Sequence, residues 1–359
     1  MINIIRNITE NFDGCDSVIQ VENADKIRLL QITDMQLIDA EQRRTPDRLR
    51  ADEISAWSPQ NFDIQFGNHV RSLVSQTNPE LIFITGDMVY GSFDDNGTAF
   101  EWFIRFMDAL EIPWAPVFGN HENESKKGVS WQCEMLEKSK YCLFKRGTVS
   151  GNGNYTVGIA EGDKLVRILH MIDSNGCGMS EDSEVINVAG IYPDQLELFE
   201  KNTERIAKAQ GKNIPAFAAF HIPTKEFWDA EITKGYKNKE RNFYTIGVDV
   251  PAIDGDYGFK YENVNHLIQG DFLPFFKKCN VEAVFTGHYH GVSTCISYEG
   301  IRWIYGLKTG QYDYHIPYSL GGTLVVLERD SFDVQHIPSL VPCAPFPGGA
   351  AIFANMFAK

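Results

Sequence analysis

Five short polar clusters in this chain combine residue types that can hold a metal ion. They are Asp34-Met35-Gln36, Gly86-Asp87, Gly119-Asn120-His121-Glu122, a lone His221 before Ile222-Pro223, and Gly287-His288-Tyr289-His290. Leaving Glu122 aside, they offer two carboxylates, two side-chain amides and four imidazoles. Oxygen and nitrogen donors without a thiolate suit Mn, Fe, Zn or Ni. His288 and His290 are two residues apart, so they share a face on a strand, or serve neighbouring ions from a tight loop. Glycines beside the donors permit tight turns and close backbone approach. His121-Glu122 does not extend to H-E-x-x-H, because residue 125 is Ser, which excludes the zincin protease motif.

The clusters share a position as well as a chemistry. Each follows a run that reads as a β-strand: 26–32, 81–85, 114–118, 214–220 and 281–285. The run LIFIT at 81–85 is continuously apolar, as a strand buried on both faces must be. Helical spacing appears at 63–74, 98–110 and 193–209, the last with Pro193 near its start. Further strands are expected at 142–144, 155–159 and 165–172. Alternating strands and helices argue for an α/β layer architecture. In open α/β sheets, ligand sites form at the carboxyl ends of strands, where all five clusters fall.

This ordered series resembles that of the calcineurin-like metallophosphoesterase superfamily: D-x-H, G-D, G-N-H-[DE], a lone His, then G-H-x-H. Four of the five match without change between Asp34 and His290. The text GHYH, GIRWIYGLKTGQYDY and GGTLVVLE, together with HIPTKEF around His221, is similar to the cytosolic purple-acid-phosphatase-like branch. The resemblance implies a four-layer α-β-β-α sandwich with two mixed β-sheets flanked by helices. It implies a phosphoric ester hydrolase, a phosphatase or phosphodiesterase, with two divalent or mixed-valence metal ions (Mn, Fe, Zn or Ni) and a metal-bridging hydroxide as nucleophile. Carried over by residue, Asp34 and His290 would bind the first metal and Asp87 would bridge both. Asn120, His221 and His288 would complete the second site. His121 would face the substrate and stabilise phosphoryl oxygens or protonate the leaving group; Asp87 and His121 are the expected catalytic pair. Glu122 is expected to orient its neighbours from behind the donors.

Such chemistry needs these groups. Two cations about 3.5–4 Å apart lower the pKa of a shared water and neutralise charge as it develops on phosphorus. A carboxylate can reach both ions, and Asn120 adds a neutral oxygen. A histidine of ordinary pKa can donate a proton near neutral pH. One position departs: Gln36 stands where the family usually has His. Three readings stay open: Gln36 ligates, water replaces it, or the first metal binds only weakly. Continued dinuclear binding is the expectation, since the other ligands are all present. The competing reading is a degenerate phosphoesterase-fold binding or scaffold protein.

Composition narrows the partners. The chain has 359 residues, and 33 Lys and Arg stand against 48 Asp and Glu, a net charge of −15. Nucleic-acid backbones and anionic membranes need the opposite balance, which disfavours both; the small phosphorylated substrate is the partner the resemblance implies. No apolar run reaches the length of a membrane span. The odd count of seven cysteines lacks any C-x-x-C pair. That argues for reduced, buried thiols, and with no secretory leader in view the expected location is cytoplasmic. The domain reading is an N-terminal extension over 1–24, one large domain over 25–337 with an irregular insertion near 225–265, and a tail over 338–359. The apolar end of the tail is expected to pack on the body or on a second copy, giving a homo-oligomer. The charged stretch 41–53 reads as a solvated loop.

Overall fold

The computed structural model describes residues 2–39, 62–176, 188–234, 248–249, 256–260, 264, 266–313, 315–316 and 319–342. In chain order the first half runs β1 (Asn3–Ile5), β2 (Ser17–Val21), β3 (Ile27–Ile32), α1 (Asn68–Thr77), β4 (Leu81–Thr85), α2 (Thr98–Ala109), β5 (Trp114–Val117), α3 (Val129–Lys138), β6 (Tyr155–Glu161) and β7 (Lys164–Met171). The second half runs α4 (Pro193–Gln210), β8 (Ala216–Ala219), α5 (Lys225–Thr233), β9 (Val248–Asp249), β10 (Phe259–Lys260), α6 (Leu273–Lys278), β11 (Val281–Thr286), β12 (Cys295–Tyr298), β13 (Ile301–Tyr305), β14 (Gly321–Leu327) and β15 (Phe332–Pro338).

Two mixed sheets carry the molecule. The smaller has the order β15-β14-β3-β4-β5, with β3, β4 and β5 parallel and β14 antiparallel to both its neighbours. The larger has the order β1-β2-β6-β7-β8-β11-β13-β12, with β7, β8, β11 and β13 parallel. Its inner face meets the smaller sheet. Phe83 of β4 packs edge-on against Phe285 of β11 at 5.1 Å. Gln31 Nε2 donates across the interface to the Thr286 carbonyl at 3.0 Å, and the Tyr155 hydroxyl donates to the Pro116 carbonyl at 2.7 Å. All five residues of β4 are buried, as its unbroken apolar run requires. Truncating Phe83 to Ala there would cost about 3–5 kcal/mol.

Helices cover the two outer faces. Leu73 of α1 and Phe103 of α2 join the core that holds β3 and β4, and Phe103 packs edge-on against Trp114. Phe199 of α4 and Phe276 of α6 join a second core on the outside of the larger sheet. Helix α4 starts where its sequence says it should. Pro193 fixes the first turn, and the Gln195 side chain reaches back to accept the Tyr192 N–H at 2.8 Å. The result is the α-β-β-α sandwich that the resemblance implies, with two mixed sheets flanked by helices.

Three expectations differ in detail. Residues 1–24 do not stand apart: β1 and β2 extend the larger sheet, with β2 parallel to β6. Residues 142–144 form no strand, only a bridge between Cys142 and Trp114. The segment read as irregular opens instead with α5, which buries Phe227 and Ala230, while β9 pairs with β10. The charged stretch 41–53 and the tail beyond residue 342 lie outside the described residues, as does most of 235–263. Cys15, Cys133, Cys142, Cys279 and Cys295 are buried. Among the described residues, no helix is long and apolar enough to cross a membrane.

Candidate metal centre

The carboxyl ends of β3, β4 and β5 in one sheet and of β8 and β11 in the other reach the same edge of the sandwich, and backbone bonds tie their loops together. The Asp34 N–H donates to the Gly86 carbonyl, the Gln36 N–H to the Asp87 carbonyl, and the Gly287 N–H to the His221 carbonyl. Ligand-bearing atoms of Asp34, Asp87 and His221, all buried, lie within 4.8 Å of one another. His221 Nε2 is 3.2 Å from Asp87 Oδ2, 3.1 Å from Asn120 Oδ1 and 3.3 Å from His288 Nδ1. His290 Nε2 is 3.4 Å from Asp34 Oδ1. Gln36 Nε2 is 3.3 Å from Asp87 Oδ2. All seven candidate ligands therefore meet at one place.

The loops that deliver them are held in costly conformations. Asp34, Gln36, Asp87 and His288 all have positive φ, between 48° and 74°, with side chains larger than glycine. Each such residue costs of order 1–3 kcal/mol and persists only where its surroundings over-determine it. The glycines are equally constrained. A Cβ at Gly119 would collide with the Asp87 carboxylate, and one at Gly287 with Asp34 and Thr33. Behind the donors, Glu122 is fully buried and ties two loops. Its carboxylate accepts the N–H groups of Asp87, Met88, Val89 and Gly119. That matches its expected supporting role.

Electrostatics follow from burying two carboxylates together. Burial would raise the Asp34 carboxyl, but the hydrogen bond from His290 and the charges of His221 and His290 hold it below its usual range. Burial likewise opposes charge on Asp87, but His221 and His121 hold it far lower. Burial opposes charge on His221 as well, yet Asp87 and Asp34 raise it to about 10. Its Nδ1 donates to the Thr85 carbonyl at 2.7 Å, which leaves Nε2 aimed at the carboxylates. Burial and the neighbouring His221 depress His288 to about 3, a neutral imidazole with a lone pair to offer. Two carboxylates, an amide oxygen and three imidazoles converge here, a donor set that fits a divalent cation.

His121 sits beside this cluster. Its backbone N–H donates to Asp87 Oδ1 at 3.0 Å, its Nδ1 is 2.8 Å from Glu124 Oε2, and its ring stacks on Tyr90 at 4.1 Å. Burial works against its charge, but Asp87 and Glu124 raise it to about 9. His170 lies elsewhere, in β7, bonded to Thr156 and Thr203. His315 is buried, with Nδ1 2.9 Å from the Asp313 carbonyl. Sequence reasoning missed Lys308, Glu124 and Tyr90. Lys308, just past β13, is buried, and its Nζ donates to the Asp34 carbonyl and, at 3.3 Å, to Gln36 Oε1. Its one local signal is a lysine in the otherwise apolar setting IYGLKTG.

The profile of the calcineurin-like phosphoesterase family matches residues 27–292, most of the chain, a span that includes the seven candidate ligands. The chain belongs to that family. Within the calcineurin-like phosphoesterases it is similar to the probable inactive purple acid phosphatase 14 of Arabidopsis thaliana. The two are 23% identical over 314 residues, covering 80% of this chain and 72% of the relative. It is also similar to phosphatase DCR2 of Saccharomyces cerevisiae, 25% identical over 297 residues, which cover 77% of this chain but 46% of that protein. In structure it is similar to a dimetal phosphatase from Danio rerio, with a TM-score of 0.53 at 12% identity, covering 89% of this chain and 99% of that one. That likeness concerns the fold, and it is the sandwich described above.

Proposed function

We propose that this calcineurin-like phosphoesterase hydrolyses phosphate mono- or diesters of small molecules in a reaction that depends on divalent cations. The observation that carries the reading is the convergence of two buried carboxylates, an amide and three imidazoles at the strand ends, with His121 alongside. Asp87, Asn120, His221 and His288 would hold one ion; Asp34 and His290, with Asp87 shared, would hold another. Bound there, divalent cations neutralise charge on the phosphoryl group and lower the pKa of an attacking water.

The chain's own residues then orient and move protons. Asp87 is pinned by the His121 N–H on one oxygen and by His221 on the other, so its carboxylate cannot swing away. His121 has Nδ1 committed to Glu124, which leaves Nε2 to carry the proton for a leaving-group oxygen. The stacked Tyr90 holds the ring plane. The local positive charge of bound cations reconciles a chain of net charge −15 with an anionic substrate. The buried cysteines among the described residues suit a reducing compartment such as the cytoplasm.

The test is hydrolysis of p-nitrophenyl phosphate and its bis ester by protein loaded with Mn²⁺. Activity should vanish with chelator and in Asp87→Asn. Full activity in that variant, or robust turnover without metal, would overturn the reading. The competing reading, a protein that binds a phosphoester without turning it over, draws on Gln36 and on the word "inactive" in the Arabidopsis relative's name. It predicts substrate binding by calorimetry with no turnover under any divalent metal.

A further inference from the structure

Gln36 stands at the position where a third protein ligand to the Asp34 side of the centre would be, and its amide is held from both ends. Lys308 Nζ is 3.3 Å from Gln36 Oε1, and Gln36 Nε2 is 3.3 Å from Asp87 Oδ2. A lysine ammonium only donates, and a carboxylate only accepts. Turning the amide over would set NH₂ against NH₃⁺ and oxygen against carboxylate, so one orientation is enforced. That orientation points N–H groups, which are no metal donors, at Asp87 and turns the oxygen towards Lys308. The lysine itself is 2% exposed. Its backbone is fixed beside β3: the Thr309 N–H donates to the Thr33 carbonyl at 2.9 Å, and the Lys308 carbonyl accepts the Gly321 N–H at 2.9 Å. Its second acceptor is the carbonyl of Asp34. A unit positive charge is therefore built into the Asp34 side, within the fold rather than on its surface.

We infer that Lys308 and Gln36 together make the Asp34–His290 position a low-affinity cation site, so that the chain retains a single divalent ion, held by Asp87, Asn120, His221 and His288, and takes a second only from excess metal. The amide removes one ligand from that position and the ammonium repels the incoming ion. On the other side of the centre the side chains around Asp87, namely Asn120, His221 and His288, are all groups that can ligate a cation. Lys308 is thus a positioning residue that acts through Gln36 and through its charge. The inference rests on the metal-centre reading of the preceding subsection.

The experiment reads metal content and spin coupling instead of turnover. Protein loaded with Mn²⁺ and dialysed is assayed for Mn per chain by mass spectrometry and by electron paramagnetic resonance. Wild type should retain about one ion with an uncoupled Mn²⁺ signal, and calorimetry should find a second site at least about tenfold weaker. Lys308→Met should tighten that second site by about tenfold or more. Gln36→His with Lys308→Met should retain two ions after dialysis and show an exchange-coupled signal. Lys308→Arg, which keeps the charge, should stay at one ion. Circular dichroism melts establish that each variant is folded. Two coupled ions retained by wild type, or no gain in the folded double variant, would overturn the inference. Hydrolysis of p-nitrophenyl phosphate by such a two-ion wild type would leave the phosphoesterase reading standing. One retained ion with no hydrolysis under any metal would do the reverse. Loss of all metal on dialysis would count against both.

Discussion

Asp34 and Asp87 end neighbouring parallel strands, both with positive φ and both about 1% exposed. Their surroundings are opposite. Asp87 faces the imidazole of His221, with Asn120 and His288 close by, all groups that can ligate a cation. Asp34 faces His290, but its own carbonyl and its neighbour Gln36 are engaged by an ammonium. A carboxylate at a strand end is thus only half of a cation site. The charge and lone pairs of the residues around it decide whether an ion is held, and those residues arrive from other loops.

Paired substitutions test that contrast most strongly. His221→Ala should cost the retained ion, lowering its affinity by more than about 100-fold, since removing an outer partner alone costs 10–100-fold. His290→Ala should leave that ion in place and weaken the second. Metal titrations followed by calorimetry separate the two outcomes, and equal losses in both variants would erase the distinction. The glycines allow the same comparison through sterics. Gly119→Ala drives a methyl into the Asp87 carboxylate, whereas Gly287→Ala drives one into Asp34 and Thr33. The first should lower the retained metal content; the second should spare it and raise the metal concentration needed for half-maximal activity.

A smaller effect is expected behind the Asp87 side. Glu122→Gln leaves one acceptor oxygen where a carboxylate served four backbone N–H groups. Each buried N–H left unpaired costs about 1–3 kcal/mol, measurable by urea unfolding in the presence of chelator. The smallest prediction serves as a reference away from both sides. Asp94 is buried at the start of α2, where it accepts the N–H groups of Ala99 and Phe100. Burial pushes its carboxyl up to about 7, so the folded state holds a proton that the unfolded state releases near 4. The stabilisation tied to that proton is full below about pH 4 and is lost as pH rises towards 7. Asp94→Asn removes the charge but leaves one acceptor oxygen for two N–H groups, so its melting temperature relative to wild type should gain a few degrees between pH 4 and pH 8. That gain should not depend on Mn²⁺.

The sequence marks the donors well because each sits on a short strand whose apolar run is local. LIFIT and the residues that follow it need no distant information to be read as strand, turn and carboxylate. What escaped reading depends on distance. Lys308 meets Gln36 across 272 positions, and no local pattern in either segment announces the contact. Helix α5, KEFWDAEIT, buries only a few apolar residues among charged ones, so its periodicity is weak. Cys142 to Phe144 are apolar and buried like a strand, yet they border β5 at its edge through a single bridge. The role of residues 3–21 is hidden for a similar reason: a three-residue and a five-residue run become strands only once β6 exists to pair with them.

That last pairing bears on how the molecule is made. Ser17 lies beside Val157, so β2 cannot be placed until some 140 residues have followed it. At typical synthesis rates of about 5–20 residues per second, the first strands wait roughly 7–28 seconds with their pairing edges open. They belong to the slow, non-local class of contacts. In that interval β1 and β2 can pair with strands of other nascent copies, a hazard of any exposed edge. A chain lacking its first 21 residues would keep every donor of the centre but leave β6 as a bare sheet edge, prone to adding a strand from a neighbour. Its yield on expression should fall before its chemistry does.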